Sequence, residues 1–315
     1  MKSDRTFRVA LLQLENRVGQ NNHTFQQAEA MIERHIKEPY DFVFLPELAP
    51  AGYAANADVW NHKEHMDGPS MQWARAIAMK YGIHLGFGFI EHHKKHVFNS
   101  YAIVDSKGIL CGVVRKQFSE NYVFRSFKGP KYIDTTLARV GIAICADSHQ
   151  IKVFKEISKH QVDFVVLPHA WPVASAINAM ITKEDVDNAM HLLDTYPFVY
   201  STHLKIPTLF VNAVGKMQPM VGLLGKLMTV DAFSFKGHSK IISYDNHVVA
   251  EAAADEEIIS GTITMNHPLK TVSQPKVYSK GWLHHGSFML RRILMPVDGL
   301  LGRIYYIFSG KRRNQ

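Results

Sequence analysis

A thiol, a carboxylate and an ammonium each stand at the end of a separate apolar run. Cys145 closes Val140-Gly-Ile-Ala-Ile-Cys145 and leads at once into Ala146-Asp147-Ser148-His149. Glu47 follows Asp41-Phe-Val-Phe-Leu-Pro, and Lys116 follows Val113-Val-Arg115. A cysteine thiol attacks carbon efficiently only after losing its proton, so it needs a base or cation beside it. The tetrahedral anion that then forms needs fixed hydrogen-bond donors, which an ammonium can supply. Each residue alone has a plain explanation: a turn carboxylate, a solvated lysine, a small buried hydrophobe. The three types together, all at strand ends, make a candidate thiol nucleophile with a base and a cation to serve it. The chain has only two cysteines, so the thiol is a candidate nucleophile rather than part of a disulfide framework.

The elements that must hold these groups alternate along the chain. Apolar strands are predicted at Phe7–Leu14, Asp41–Leu45 (stopped by Pro46), His84–Ile90, Ala138–Cys145, Asp163–Leu167 (stopped by Pro168), Thr208–Val214 and Ile258–Met265. Phe98–Asp105 and Leu110–Arg115 form a hairpin across Ser106-Lys107-Gly108, and Ser239–Tyr244 and His247–Ala253 form another. Helices are predicted over Asn22–Ile36, Met71–Tyr81 and Val153–His160, with a long helical stretch between Val173 and Thr202. Both kinds of connection occur, so the residues imply an α/β protein with a mixed sheet or two packed sheets covered by helices. Ligand sites in such sheets lie beyond the C-terminal strand ends.

Composition narrows the function classes. The apolar fraction of 46% is that of an ordinary folded chain. No run approaches the ~20 apolar residues that cross a bilayer. Met1-Lys-Ser-Asp-Arg-Thr6 runs into the first strand without a signal-peptide pattern; with so few cysteines, a reducing, cytoplasmic setting is expected. The net charge of +8 is concentrated at the C-terminus: residues 271–315 hold eight basic side chains and one acid, Asp298. Residues 1–270 therefore read as a nearly neutral catalytic domain and 271–315 as a basic apolar tail.

The chain resembles the nitrilase superfamily of carbon–nitrogen hydrolases. The resemblance rests on Val9-Ala-Leu-Leu-Gln13, Leu45-Pro-Glu47-Leu48 with Gly52-Tyr53, Phe98-Asn-Ser100, Arg115-Lys116, Gly141-Ile-Ala-Ile-Cys145-Ala-Asp147, Leu167-Pro168 with Trp171-Pro172, Asn212-Ala-Val-Gly215 and Phe235-Lys-Gly237-His-Ser239, in family order. It implies a four-layer α-β-β-α sandwich of two mixed sheets, with subunits paired as a homodimer. It assigns Glu47 as base, Lys116 as oxyanion donor together with the Ala146 backbone N–H, and Cys145 as nucleophile, with no cofactor and no metal. Members often carry a second glutamate between lysine and cysteine; Glu120 is the only one in that interval, at a shorter spacing than the family's. Asp147 matches an acid with a structural hydrogen-bonding role. Ala146 replaces an aromatic and widens the pocket beside the thiol. His149, His169 and Trp171 are candidate substrate contacts, set against a polar turn or core burial.

Two departures bear on the substrate, expected to be a small-molecule amide, carbamoyl compound or acyl donor. The connection Lys216–Met228 is rich in Met, Leu and Gly, which suits a greasy acyl group and equally an oligomer contact. The tail pairs Phe288–Met295 with Gly299–Phe308, broken by Pro296 and ending in Lys311-Arg-Arg313. It reads first as a dimer or core contact and second, over 288–313, as a segment lying on a membrane surface; nucleic acid is not expected. His92, His93 and His96 do not read as a metal site, because Lys94 and Lys95 within the cluster would repel a cation. Three functions follow: a thiol-dependent hydrolase of a non-peptide C–N bond, an acyltransferase using the same acyl-enzyme, or a catalytically inert binding protein.

Overall fold

Alternate residues of the apolar strands face different partners, and this alternation builds the layers. The computed structural model describes residues 5–35, 39–119, 122–175, 177, 181–218, 233–265, 272–285 and 295–309. One six-stranded sheet contains β1 (Arg5–Gln13), β2 (Phe42–Phe44), β3 (His84–His93), β4 (His96–Val104), β5 (Leu110–Arg115) and β15 (Glu257–Met265), in the order β15-β1-β2-β3-β4-β5. The other contains β6 (Tyr132–Asp134), β7 (Arg139–Ile142), β8 (Phe164–His169), β10 (Thr208–Asn212), β13 (Lys240–Ile242) and β14 (Val248–Glu251), ordered β14-β13-β10-β8-β7-β6. Both are mixed: β1–β2–β3 and β7–β8–β10 run parallel, while the outer pairs are antiparallel. A small third sheet joins β9 (Pro172–Ala174), β11 (Val214–Lys216) and β12 (Phe233–Lys236).

Val9, Leu11, Phe42, Phe44 and Tyr101 of the first sheet pack against Val140, Ile142, Phe164, Val166 and Leu209 of the second. Their neighbours Ala10, Leu12, Val43 and Leu85 turn the other way, onto Ala28 and Ile32 of α1 (Asn21–His35) and Ala74 and Ile77 of α2 (Pro69–Tyr81). On the far side, Val165, Leu167 and Phe210 meet α3 (Ile151–Lys159), α4 (Lys183–Thr195) and α5 (Phe198–Leu204) through Phe154, Leu193 and Tyr200. The result is the expected four-layer α-β-β-α sandwich. Strands covered on both faces have no polar side, which is why they read as continuous apolar runs. The helix ends follow local rules: α2 opens on Pro69 and closes at Gly82 in the left-handed conformation, φ 68°.

Two expectations are corrected. Pro168 does not stop its strand, since β8 continues to His169, paired through Pro168 with Val211 of β10. Val166 O accepts from Ala143 N on the β7 side, so Pro168, two residues on, turns its missing N–H to that same side. There β7 has already ended at Ile142 and no donor is required. The long helical stretch at 173–202 is not one helix. It opens as β9, and α4 and α5 follow, separated at Tyr196-Pro197.

Candidate active site

Glu47 follows β2 and is fully buried, with Lys116 Nζ and Asn99 Nδ2 each 2.7 Å from Oε1, and the Ala170 N–H 3.0 Å from Oε2. Three donors from β4, the end of β5 and the residue after β8 thus fix one carboxylate between the two sheets. Lys116 is aimed by its neighbour. Arg115 is bound by Glu91, which also accepts from Ser100 Oγ at 2.6 Å. Side chains alternate along a strand, so anchoring Arg115 on one face sends Lys116 to the opposite one.

Cys145 begins a short 3-10 turn, Cys145–Asp147, just beyond β7, and has φ +44°. A non-glycine residue in this region is strained by about 1–2 kcal/mol and persists only when its surroundings fix it. Two clamps do so. Asp147, fully buried, accepts the backbone N–H of Gln117 at 3.0 Å and of Phe118 at 2.7 Å, so the nucleophile turn holds the segment directly after Lys116. Ser148 Oγ lies 2.7 Å from the Cys145 carbonyl and 3.2 Å from His169 Nε2, with one proton to share between them, and His169 stands one residue before the Ala170 N–H that binds Glu47. The Ser148 carbonyl in turn accepts from both Tyr196 and Tyr200. The thiol's turn is thereby tied to the lysine on one side and the carboxylate on the other.

Lys131 completes the first clamp. It is fully buried and donates to Asp147 Oδ2 at 2.7 Å and to the Arg115 carbonyl at 2.8 Å. Sequence reading passes it over, because Gly129-Pro130-Lys131 looks like an exposed turn. The signal that could have found it is Asp147 itself: a buried carboxylate requires a cation or several donors.

The candidate substrate contacts fall into one aromatic cluster. Trp171 is half-buried, with its ring 4.6 Å from His149. His169 is completely buried, and both its nitrogens face protein partners, Leu167 O at 2.9 Å and Ser148. Burial lowers its pKa to about 3, helped by the nearby Lys116 charge, so it is neutral with its proton on Nδ1, the nitrogen facing a carbonyl. His149, a candidate substrate contact set against a polar turn, is buried. Its Nδ1 lies 2.9 Å from His284 Nε2, while His284 Nδ1 lies 2.6 Å from the His285 carbonyl. A carbonyl only accepts, so a neutral His284 carries its proton on Nδ1 and His149 Nδ1–H is the donor of the pair. Backbone bonding from Leu283 N to His149 O at 2.9 Å brings this tail segment, unforeseen from sequence, against the nucleophile turn. Ala146 is buried beside Cys145. Glu120 lies outside the described residues, as do 219–232 of the apolar connection and 288–294 of the tail; Met217, at the start of that connection, is buried near Leu48 and Ala170.

The histidine cluster falls at the β3–β4 hairpin, where His93 pairs with His96. Among the described residues, Asp194, His238 and Glu251 come close enough to share a cation. Their carboxylates already face the ammonium of Lys240, 3.5 Å from Asp194 and hydrogen-bonded to Glu251.

Comparison with known proteins bears on the family and the fold. The family model for carbon–nitrogen hydrolases matches residues 8–267. A probable nitrilase of Schizosaccharomyces pombe is 24% identical over 272 residues, 82% of this chain and 89% of that protein. The crystal structure of a carbon–nitrogen hydrolase from Helicobacter pylori G27 superposes with a TM-score of 0.70 at 20% identity, covering 82% of this chain and 89% of that one. An amidase variant from Nesterenkonia sp. AN1, with an acetamide moiety covalently added at its active-site cysteine, superposes with a TM-score of 0.62 at 14% identity, covering 82% and 90%.

Proposed function

We propose that this chain, which belongs to the carbon–nitrogen hydrolase family, cleaves a small amide or carbamoyl compound through a thioester on Cys145. The observation that carries this reading is the carboxylate of Glu47, buried and held by Lys116, Asn99 and Ala170 while two clamps lock the turn of Cys145 to the same strand ends. Glu47 takes the thiol proton and Cys145 Sγ bonds to the carbonyl carbon. Lys116 and the Ala146 N–H hold the resulting oxyanion. Glu47 returns the proton to the departing amine as the C–N bond breaks. It then deprotonates a water that attacks the thioester, and the last proton restores the thiol.

Ammonia release from matched amide, carbamoyl and nitrile panels tests the reading. Turnover of the first two that disappears in Cys145→Ala supports it, whereas turnover of nitriles alone contradicts it. Adding an amine acceptor to the same assay distinguishes hydrolysis from acyl transfer, because a transferase forms the new amide in preference to the acid.

A further inference from the structure

The C-terminal helix α6 (Met295–Phe308) is fastened to the body by one edge and shows an apolar face to solvent. Tyr306 is buried in the cluster that includes Leu48, Trp60, Val97 and Ala170, and its hydroxyl accepts the Val97 N–H at 3.2 Å. Tyr305 stacks on Trp60, ring centroids 6.0 Å apart. On the opposite side Leu300, Ile304, Ile307 and Phe308 are exposed, Phe308 by 81%. Their spacing of four, three and one places them on a single helical stripe. Exposed side chains of this size gathered on one face mark an interaction surface.

Charge identifies the occupant. Arg303 is exposed beside the stripe, and the sequence continues with Lys311, Arg312 and Arg313; Asp298 is the only acid after residue 270. A second copy presenting the same tail would offer another apolar stripe but the same positive charge, with Asp298 as the tail's one acid to balance it. An anionic lipid surface offers both complements, an apolar boundary and negative headgroups. No helix among the described residues is long and apolar enough to cross a membrane, so contact of this helix with lipid would be along the surface. We propose that α6 docks this enzyme on anionic membranes, with Leu300, Ile304, Ile307 and Phe308 entering the headgroup–acyl boundary. Tyr306 belongs to the same apolar cluster as Leu48 and Ala170, the neighbours of Glu47, so docking would hold the active-site edge close to the lipid.

Flotation of the full chain with vesicles tests this. Wild-type protein is expected to float with phosphatidylcholine vesicles containing phosphatidylglycerol, to remain behind with phosphatidylcholine alone, and to dissociate largely at high salt. Ile304→Glu combined with Phe308→Glu is expected to lower the bound fraction by more than about tenfold. Each of Lys311→Gln, Arg312→Gln and Arg313→Gln should weaken binding about fivefold. Iodoacetamide labelling of Cys145 should be unchanged in all of them. Failure of wild-type protein to float with anionic vesicles overturns the proposal whatever the variants do. So does equal flotation of the double glutamate variant. A dimer-to-monomer shift in that variant, without lipid binding by the wild type, assigns the face to a second copy instead.

Discussion

Asp147→Ala asks whether the nucleophile turn and the lysine segment stand or fall together. The carboxylate is wholly buried and receives the Gln117 and Phe118 N–H groups and the Lys131 ammonium. Removing it strands a buried charge, which costs about 3–5 kcal/mol. It also leaves two backbone donors without an acceptor, about 1–3 kcal/mol each. Even the lower ends combine to about 5 kcal/mol, comparable to the whole stability of many domains, about 5–15 kcal/mol. Asp147→Ala is therefore predicted to be barely folded at room temperature. Lys131→Met removes the charge but leaves the carboxylate its two backbone donors, so its loss should be smaller, about 3 kcal/mol. Pairing Asp147→Asn with Lys131→Met removes both charges while keeping one acceptor oxygen, and should be milder than the sum of the singles by about 2 kcal/mol. Urea unfolding measures wild type, Asp147→Ala, Lys131→Met, Asp147→Asn and the double variant, with the slope monitored for two-state behaviour. An Asp147→Ala protein within about 1 kcal/mol of wild type, the scale of an ordinary substitution, or strict additivity of the pair, would refute the clamp.

Other outcomes follow from the same geometry. Lys116→Ala should lower kcat/KM by about 10²–10³, the usual loss for one oxyanion donor, read by steady-state ammonia release. Cys145→Gly should be inactive yet more stable than Cys145→Ala by about 1 kcal/mol, because glycine adopts positive φ without steric cost; thermal unfolding compares the two. His169 has a folded pKa lowered to about 3. Its contribution to stability is therefore complete above its unfolded pKa of about 6.5 and is lost as pH falls toward 3, by about 1.4 kcal/mol at pH 5.5. His169→Asn should flatten the wild-type stability profile between those limits, and an unchanged slope would place the titration elsewhere.

The legible parts of this protein were those where one residue reports its own environment. Cys145, Glu47 and Lys116 could be picked out because each ends an apolar strand, and strand ends are where open α/β sheets place chemistry. The layers were readable because strands covered on both faces lose their polar alternation. What escaped depends on distant partners. Lys131 has the look of a turn lysine until Asp147 is seen to need it. His284 is separated by 135 positions from the His149 it binds. Pro168 breaks no strand because the neighbour that would want its N–H has already turned away toward Cys145. The residues after Trp171 carry enough apolar periodicity to read as helix. Their pairing with β12 as a short strand is set by Phe233–Lys236, more than fifty residues on.

The central claim is an acyl group carried on Cys145 with Glu47 as its proton carrier. Intact-mass spectrometry of wild type, Cys145→Ala and Glu47→Gln, after incubation with short and long amides and carbamoyl compounds, measures it directly. An adduct of acyl mass is expected in wild-type protein and none in Cys145→Ala; in Glu47→Gln the adduct should form more slowly and, once formed, persist after the substrate is removed, because the variant can neither deprotonate the thiol nor activate the water that clears it. An adduct that survives in Cys145→Ala, or turnover of the panel with no dependence on Glu47, would contradict it.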